Sequence, residues 1–308
     1  MERRDELLGV VAFGNRPPPD FRKAFPFVWV DMPLLEGDGF CEIFRCTQPV
    51  QAVSSRGISG TCNEDLLFGC LQVSDEGGLE DASRFAYSRV FEFIDEVGYP
   101  SLMRAWNYFP RINGEADGVE RYRQFNIGRY EAFAAKGRTI GVDMPAACAL
   151  GSSGGPLTVY FLAARKPGLP VENPRQVSAF DYPQRYGPRS PMFSRAMLMQ
   201  PAGQRVLAIS GTASVVGHET RHPNDVGAQI AETLANIQVL MDAAGKAGAQ
   251  NGSKLLLKAY LRDPTHLPTV QKALAENFSD AQVAYLQADI CRSDLLVEIE
   301  GMYFPDRT

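Results

Sequence analysis

Two short segments, Ile58-Ser59-Gly60-Thr61 and Ile209-Ser210-Gly211-Thr212, head two stretches of the chain that run through one order of elements. After the first comes an apolar stripe at helical spacing: Ala82, Phe85, Ala86, Val90, Phe93, Ile94 and Val97, with Gly98 where a helix ends. After the second come Val226, Ile230, Leu234, Ile237, Leu240, Met241 and Ala244, closed by Gly245 and capped by Asn224 or Asp225. Each stripe leads to a strand-like run, residues 102–109 and 255–262. Each run leads to a second helix, near 118–136 and 267–277. Thr139-Ile140-Gly141-Val142 then closes the first half as a strand, and the run around Glu298 closes the second. Strands interleaved with helices in this way place helices on mixed sheets. The predicted class is therefore α/β (α+β), with two similar halves and a cleft between them as the natural pocket. The boundaries read 1–150 for an N-terminal subdomain, 151–195 for a connecting strand and binding loop, and 196–308 for a C-terminal subdomain. The connector carries a strand over 157–162 and then a proline-rich loop with arginine, serine and tyrosine, stiff enough to serve as a binding loop.

Charge and composition narrow the partners. The net charge is −5, with no basic block and no zinc-finger spacing, which argues against nucleic acid. No apolar run reaches the ~18 residues of a membrane span. Met1-Glu2-Arg3-Arg4-Asp5-Glu6 has no leader-like apolar core, so a cytoplasmic location is expected. Cys41, Cys46, Cys62, Cys70, Cys148 and Cys291 form no CxxC pair and read as reduced thiols. His218 and His222 stand four apart, but in a loop and without the order of a metallohydrolase, so no metal is expected. No dinucleotide loop, Walker sequence or GxSxG elbow is present, and no cofactor is expected.

The segment from Cys291 to Gly301 reads as a strand. Alternation puts Leu295, Val297 and Ile299 on one face and Leu296, Glu298 and Glu300 on the other. Two readings stay open: a half-solvated strand with two surface glutamates, or a carboxyl held among apolar groups and able to donate a proton. Helical rotation over 118–136 places Tyr122, Asn126, Arg129 and Phe133 on one face. Arg129 is either a snorkelling surface arginine or a half-buried guanidinium that awaits a carboxylate. Arg175 and Arg195 pose the same choice between anion binding and an ordinary ion pair. Gly211 marks either a simple β-bulge or a place where backbone must approach another group. Cys291 has no neighbouring base and reads either as a core filler or as a wall of the Glu298 cavity.

Several segments together resemble the chorismatases (chorismate hydrolases). They are Ser210-Gly211-Thr212-Ala213-Ser214 with Gly217-His218-Glu219-Thr220, the loop Asn173 to Phe180, Tyr186-Gly187-Pro188, and Cys291 through Glu298. Arg104-Ala105-Trp106-Asn107-Tyr108 and Phe125-Asn126 with Gly128-Arg129 fit as well. The resemblance implies two halves of the RidA/YjgF type and a small-molecule substrate, chorismate, in a monomer or homotrimer. It implies Glu298 and Cys291 as catalytic residues. Arg129, Arg175, Tyr122, Tyr182, Arg195 and Gly211 would then bind substrate. Glu298 would protonate the enolpyruvyl group, and pyruvate would leave. Cysteine at 291 with glycine at 211 resembles the hydroxybenzoate-forming branch, with 3-hydroxybenzoate as product and 4-hydroxybenzoate as an additional one left open. Two alternatives share the cleft: an enamine/imine deaminase of the RidA type, and a non-catalytic sensor. Where the deaminases carry an arginine upstream of the strand glutamate, this chain holds Tyr285.

Overall fold

A computed structural model describes residues 6–17, 25–37, 39–246 and 254–304. The leader-free reading of Met1–Asp5 falls outside them. Among the described residues four α-helices lie in two pairs: α1 (Leu79–Glu96) with α2 (Arg121–Ala135), and α3 (Val226–Lys246) with α4 (Leu267–Asn277). The predicted stripes match them closely. Gly98 takes a φ of 80° beyond α1, where only glycine turns freely, and the Asp225 carboxylate accepts from the Ala228 amide at 2.9 Å at the start of α3. Phe85 is an exception: it is 49% exposed, on the solvent side of α1. Gly245 does not end α3, which continues to Lys246.

Each helix pair covers one mixed sheet. The first sheet has seven strands, with Ser101–Pro110 and Leu157–Ala164 side by side at its middle. The second has six, with Val297–Phe304 between Val206–Ala213 and Lys254–Leu261. Both central strands are buried along nearly all their length, because one face meets helices and the other meets the opposite sheet. Leu157–Ala164, read from sequence as part of a connector, pairs on both edges within the first sheet. Asp289–Ile290, from the far end of the chain, adds a short edge strand to that same sheet. A third sheet of three strands, built on Leu7–Gly14, packs its apolar residues into the layer between the two larger sheets. The order of layers is helices, sheet, sheet, helices. One apolar core lies under each helix pair, and a third lies between the sheets. The expected mixed α/β architecture is the one observed.

One strand prediction needs correction. Residues 139–142 form a turn, with Ile140 and Val142 exposed. The strand that closes the first half is Ala146–Ser152, paired in parallel to Ser101–Pro110. Gly141, at φ 82°, explains the failure: the apolar alternation runs through a left-handed position that a strand does not hold.

Candidate active site

The closing strand Val297–Phe304 divides its side chains between two cores. Val297, Ile299 and Tyr303 pack under α3 and α4. Met302 and Phe304 turn toward the space between the sheets, and alternation carries Glu298 and Glu300 the same way. The two-face reading therefore holds from Val297 onward, and the half-solvated alternative does not. Leu295 departs from it, joining the inter-sheet core because the strand begins only at Val297.

Glu298 is 4% exposed and opens into a cavity of about 330 Å³. Gly211, Ala213 and Val215 form one wall of the cavity. They face it because the strand Val206–Ala213 carries a β-bulge. Ile209 pairs with Gly301 but Thr212 pairs with Ile299, so Ser210 and Gly211 together oppose Glu300. Before the bulge the even-numbered Val206 and Ala208 point between the sheets, and after it the odd-numbered Ala213 does. The Ser210 hydroxyl fixes the bulge across the sheets, accepting from the Ala147 amide at 2.9 Å and donating to the Ser194 carbonyl at 2.6 Å. A Cβ on Gly211 would collide with the Glu298 carboxylate, 2.8 Å from Cδ, and would stand 3.2 Å from Cβ of Cys148. Both readings of Gly211 apply at once: it is a bulge, and the bulge is where backbone and carboxyl approach.

Burial, before anything else, raises the Glu298 carboxyl to about 8, and the negative charge of Glu300 adds to this while Arg104 opposes it. The Cys291 Sγ lies 4.0 Å from Glu298 Oε2. Its thiol is pushed up to about 12 by burial and by the Glu298 charge. It is a neutral thiol, not an activated nucleophile. Burial likewise raises the Tyr122 phenol well above its ordinary value. Around Glu298 there is thus a set of uncharged, weakly polar groups, and the cations stand further along the cavity wall.

Those cations are Arg195, Arg292 and Arg123. Arg195, buried, donates through Nη2 to the Val177 carbonyl and the Tyr182 hydroxyl, each at 2.7 Å, and its Nε has no partner. Arg292 stacks 4.2 Å over the Tyr186 ring and donates to the His218 carbonyl at 2.9 Å. The connector loop thus contributes Tyr182, Tyr186 and Arg195 to the wall, while α2 contributes Tyr122. Of the residues singled out from the sequence, Glu298, Cys291, Tyr122, Tyr182, Arg195 and Gly211 come together here.

Arg129 and Arg175 do not. Arg129, 2% exposed, lies within an aromatic cage, 4.7 Å from the Tyr87 ring centre and 5.4 Å from that of Phe133, in the core under α1 and α2. Tyr122 and Arg129 share a face of α2, as the helical rotation predicts, but the seven-residue step from one to the other spans about 10 Å along the axis. Arg175 is bound to Glu232 of α3, and its Nη1 donates to Asn236 at 2.8 Å. Arg175 is thus engaged with α3 and does not line the cavity. Arg292 and Arg123 were missed, although each is the sequence neighbour of a residue already singled out, Cys291 and Tyr122. Tyr285 lines a different cavity, beside Phe40 and Met302. His222 pairs with Glu232, and His218 meets Arg185 and Tyr186. Among the described residues no three His, Cys, Asp or Glu side chains gather as a metal site, and no helix is long and apolar enough to cross a membrane.

Two mixed sheets packed face to face, with a buried carboxyl and arginines turned into a cavity between the halves, define an enzyme that acts on a small molecule. Comparison with known proteins gives the family. A profile described as "Chorismatase FkbO/Hyg5-like, N-terminal" matches residues 42–163. A chorismatase of Streptomyces rapamycinicus is 42% identical over 310 residues, 97% of this chain and 92% of that protein. A 3-hydroxybenzoate synthase of Streptomyces hygroscopicus is 38% identical over 311 residues, 96% of this chain and 91% of its own length. A crystal structure of a chorismatase superposes with a TM-score of 0.89 at 36% identity, covering 97% of this chain and 93% of that one. The chain belongs to the chorismatase family.

Proposed function

We propose that this chain converts chorismate to 3-hydroxybenzoate and pyruvate, with the Glu298 carboxylic acid as proton donor. The observation that carries the reading is the placement of Glu298: uncharged at neutral pH, buried, and open only to a cavity whose other wall holds Arg195 and Arg292. Chorismate has two carboxylates and an enol ether. The guanidinium groups match the first, by charge-assisted hydrogen bonds. A carboxylic acid matches the second, because the ether cleaves once its methylene carbon is protonated and an oxocarbenium centre forms. The neutral wall of Cys291, Gly211 and Ala213 leaves the substrate's own ring hydroxyl as the oxygen that captures this centre. The hydroxyl gives up its proton as the bridged ketal forms. The ring's C4–O bond then breaks as the C3 hydrogen leaves as a proton, the ring aromatises and the freed hemiketal collapses to pyruvate. The two released protons restore Glu298 and the phenol, and no water is consumed. A relative of near-equal length bears the name of the 3-hydroxybenzoate-forming activity, which favours this branch.

The test is to incubate the purified protein with chorismate and separate the products by chromatography. We expect 3-hydroxybenzoate and pyruvate in equal amounts, with turnover falling as pH rises through about 8. Glu298→Gln should keep the fold and lower pyruvate release by at least about a hundredfold. A dihydroxycyclohexadiene carboxylate as the main product would overturn the branch, and unimpaired Glu298→Gln would overturn the mechanism.

A further inference from the structure

Glu300 follows Glu298 by two residues on the same strand face, a spacing of about 7 Å. It does not line the Glu298 cavity, and nothing in the proposed chemistry touches it. Its surroundings nonetheless form a dense, buried polar cluster. The Arg104 guanidinium and the Trp106 indole N–H, at 2.6 Å, reach it from the first sheet. Lys258 Nζ, at 3.0 Å, and the Tyr260 hydroxyl, at 2.6 Å, reach it from the neighbouring strand of its own sheet, where Lys258 pairs directly with Glu300. Lys258 also binds Glu42 of the third sheet at 2.8 Å. Burial works against ionisation here, but Lys258 and Arg104 outweigh it and hold the carboxyl below its ordinary range. A fixed negative charge therefore lies behind the cavity, in a medium that screens it poorly.

Glu120, Arg123 and Asp294 also line the cavity, but the charges that act on Glu298 are those of Glu300 and Arg104. Cys291 from the preceding loop, Cys148 from Ala146–Ser152 and Tyr122 from α2 all have values raised by burial, and are neutral. Arg104 acts on Glu298 with the opposite sign, but its cation is matched to Glu300. Arg195 and Arg292 stand across the cavity, where substrate carboxylates would neutralise them. We propose that Glu300 is a positioning residue for the reaction: its buried negative charge keeps the neighbouring Glu298 carboxyl uncharged, and so keeps it a proton donor, while Lys258 sets how much of that charge Glu298 experiences. The inference rests on Glu298 as the donor.

Two variants of opposite sign test it in the full-length protein. Glu300→Gln removes the negative charge, leaves Arg104 uncompensated and leaves Lys258 with Glu42 alone. Lys258→Met removes a cation and leaves Glu300 held by Arg104. The Glu298 carboxyl is titrated by isotope-edited infrared spectroscopy, its C=O band identified by its loss in Glu298→Gln. Pyruvate release is followed against pH in parallel. The expected result is a titration midpoint lower by about one pH unit or more in Glu300→Gln and higher in Lys258→Met, with the basic limb of kcat/KM moving the same way in each. A merely structural role moves neither midpoint, or moves both in one direction, and either result overturns the proposal. If Glu300→Gln does not fold, Lys258→Met decides alone, since an unchanged midpoint there is also fatal. Because the infrared titration needs no substrate, midpoints that shift in a protein inert toward chorismate would refute the assigned reaction and still support the charge coupling.

Discussion

Glu298 and Glu300 have the same side chain, the same strand and the same face, yet opposite states of charge. Burial acts on both; the difference is that Glu300 is reached by Lys258 and Arg104, whereas Glu298 is surrounded by thiols, backbone and a phenol. Pairs of carboxyls driven apart in this way mark where proton transfer is possible. The arrangement has a consequence for stability. The folded value of Glu298, about 8, exceeds its ordinary value of 4.5, so the folded chain keeps a proton that the unfolded chain gives up. Its contribution is complete below the ordinary value and is lost as pH climbs through about 8. Glu300 behaves in the opposite way, its contribution being present at neutral pH and lost on acidification. Glu298→Gln should therefore unfold at a higher temperature than the parent at about pH 9, by up to a few kcal/mol of stability, and should match it at about pH 4. Parallel thermal melts at the two pH values check this, and an equal offset at both would show that the acid is not held neutral by the fold.

At the scale of elements, the bulge in Val206–Ala213 is the decisive local feature. One extra residue reverses which side chains look into the cavity, and it places a residue without a side chain against the Glu298 carboxyl. Gly211→Ala should retain the fold, because the backbone there is ordinary, but displace the carboxyl and lower kcat by about tenfold or more. Wild-type kcat in that variant would mean that the acid has room to move. Helix α2 makes a related point. Its first turn supplies Tyr122 to the cavity, while Gly128 brings it against α1, where a Cβ would stand 2.8 Å from the Arg84 amide nitrogen. That close contact holds the later part of α2, with Arg129, behind the first sheet. The helix was legible from its periodicity, but which of its turns meets the cavity depends on where its partner helix stops it.

Across the whole molecule, the three sheets are tied together through one polar cluster. Arg104 and Trp106 come from the first sheet, Lys258, Tyr260 and Glu300 from the second, and Glu42 from the third. The cavity lies alongside that junction and draws walls from both halves and from the connector. Two arginines of the connector show how position in the assembly separates roles that sequence leaves equal. Arg195→Ala should raise KM by about tenfold or more, since it removes a buried cation from the cavity wall. Arg175→Ala should leave KM unchanged and lower stability by about 1 kcal/mol, because its half-exposed pair with Glu232 joins the connector to α3. Steady-state kinetics and denaturant titration of both variants separate the two, and equal KM effects would contradict the assignment.

What the chain determined by itself is local and periodic. The four helices, several central strands, the echo of one half in the other and the two-face pattern of the closing strand follow from residue spacing, because each is set by neighbours a few positions away; the edge strands and the third sheet do not. The carboxyl at 298 stood out by strand alternation, whereas the thiol at 291 and the glycine at 211 were singled out as site residues through the resemblance to the chorismatases. Only the tertiary structure decided that Arg129 and Arg175 lie away from the cavity, that Arg292 and Arg123 face it, and that of two glutamates on one strand face it is Glu300 that meets the cations. Those outcomes depend on residues far apart in sequence, such as Arg104 and Lys258, arriving at one point. Burial and charge there are properties of the packed layers, and no single segment contains them.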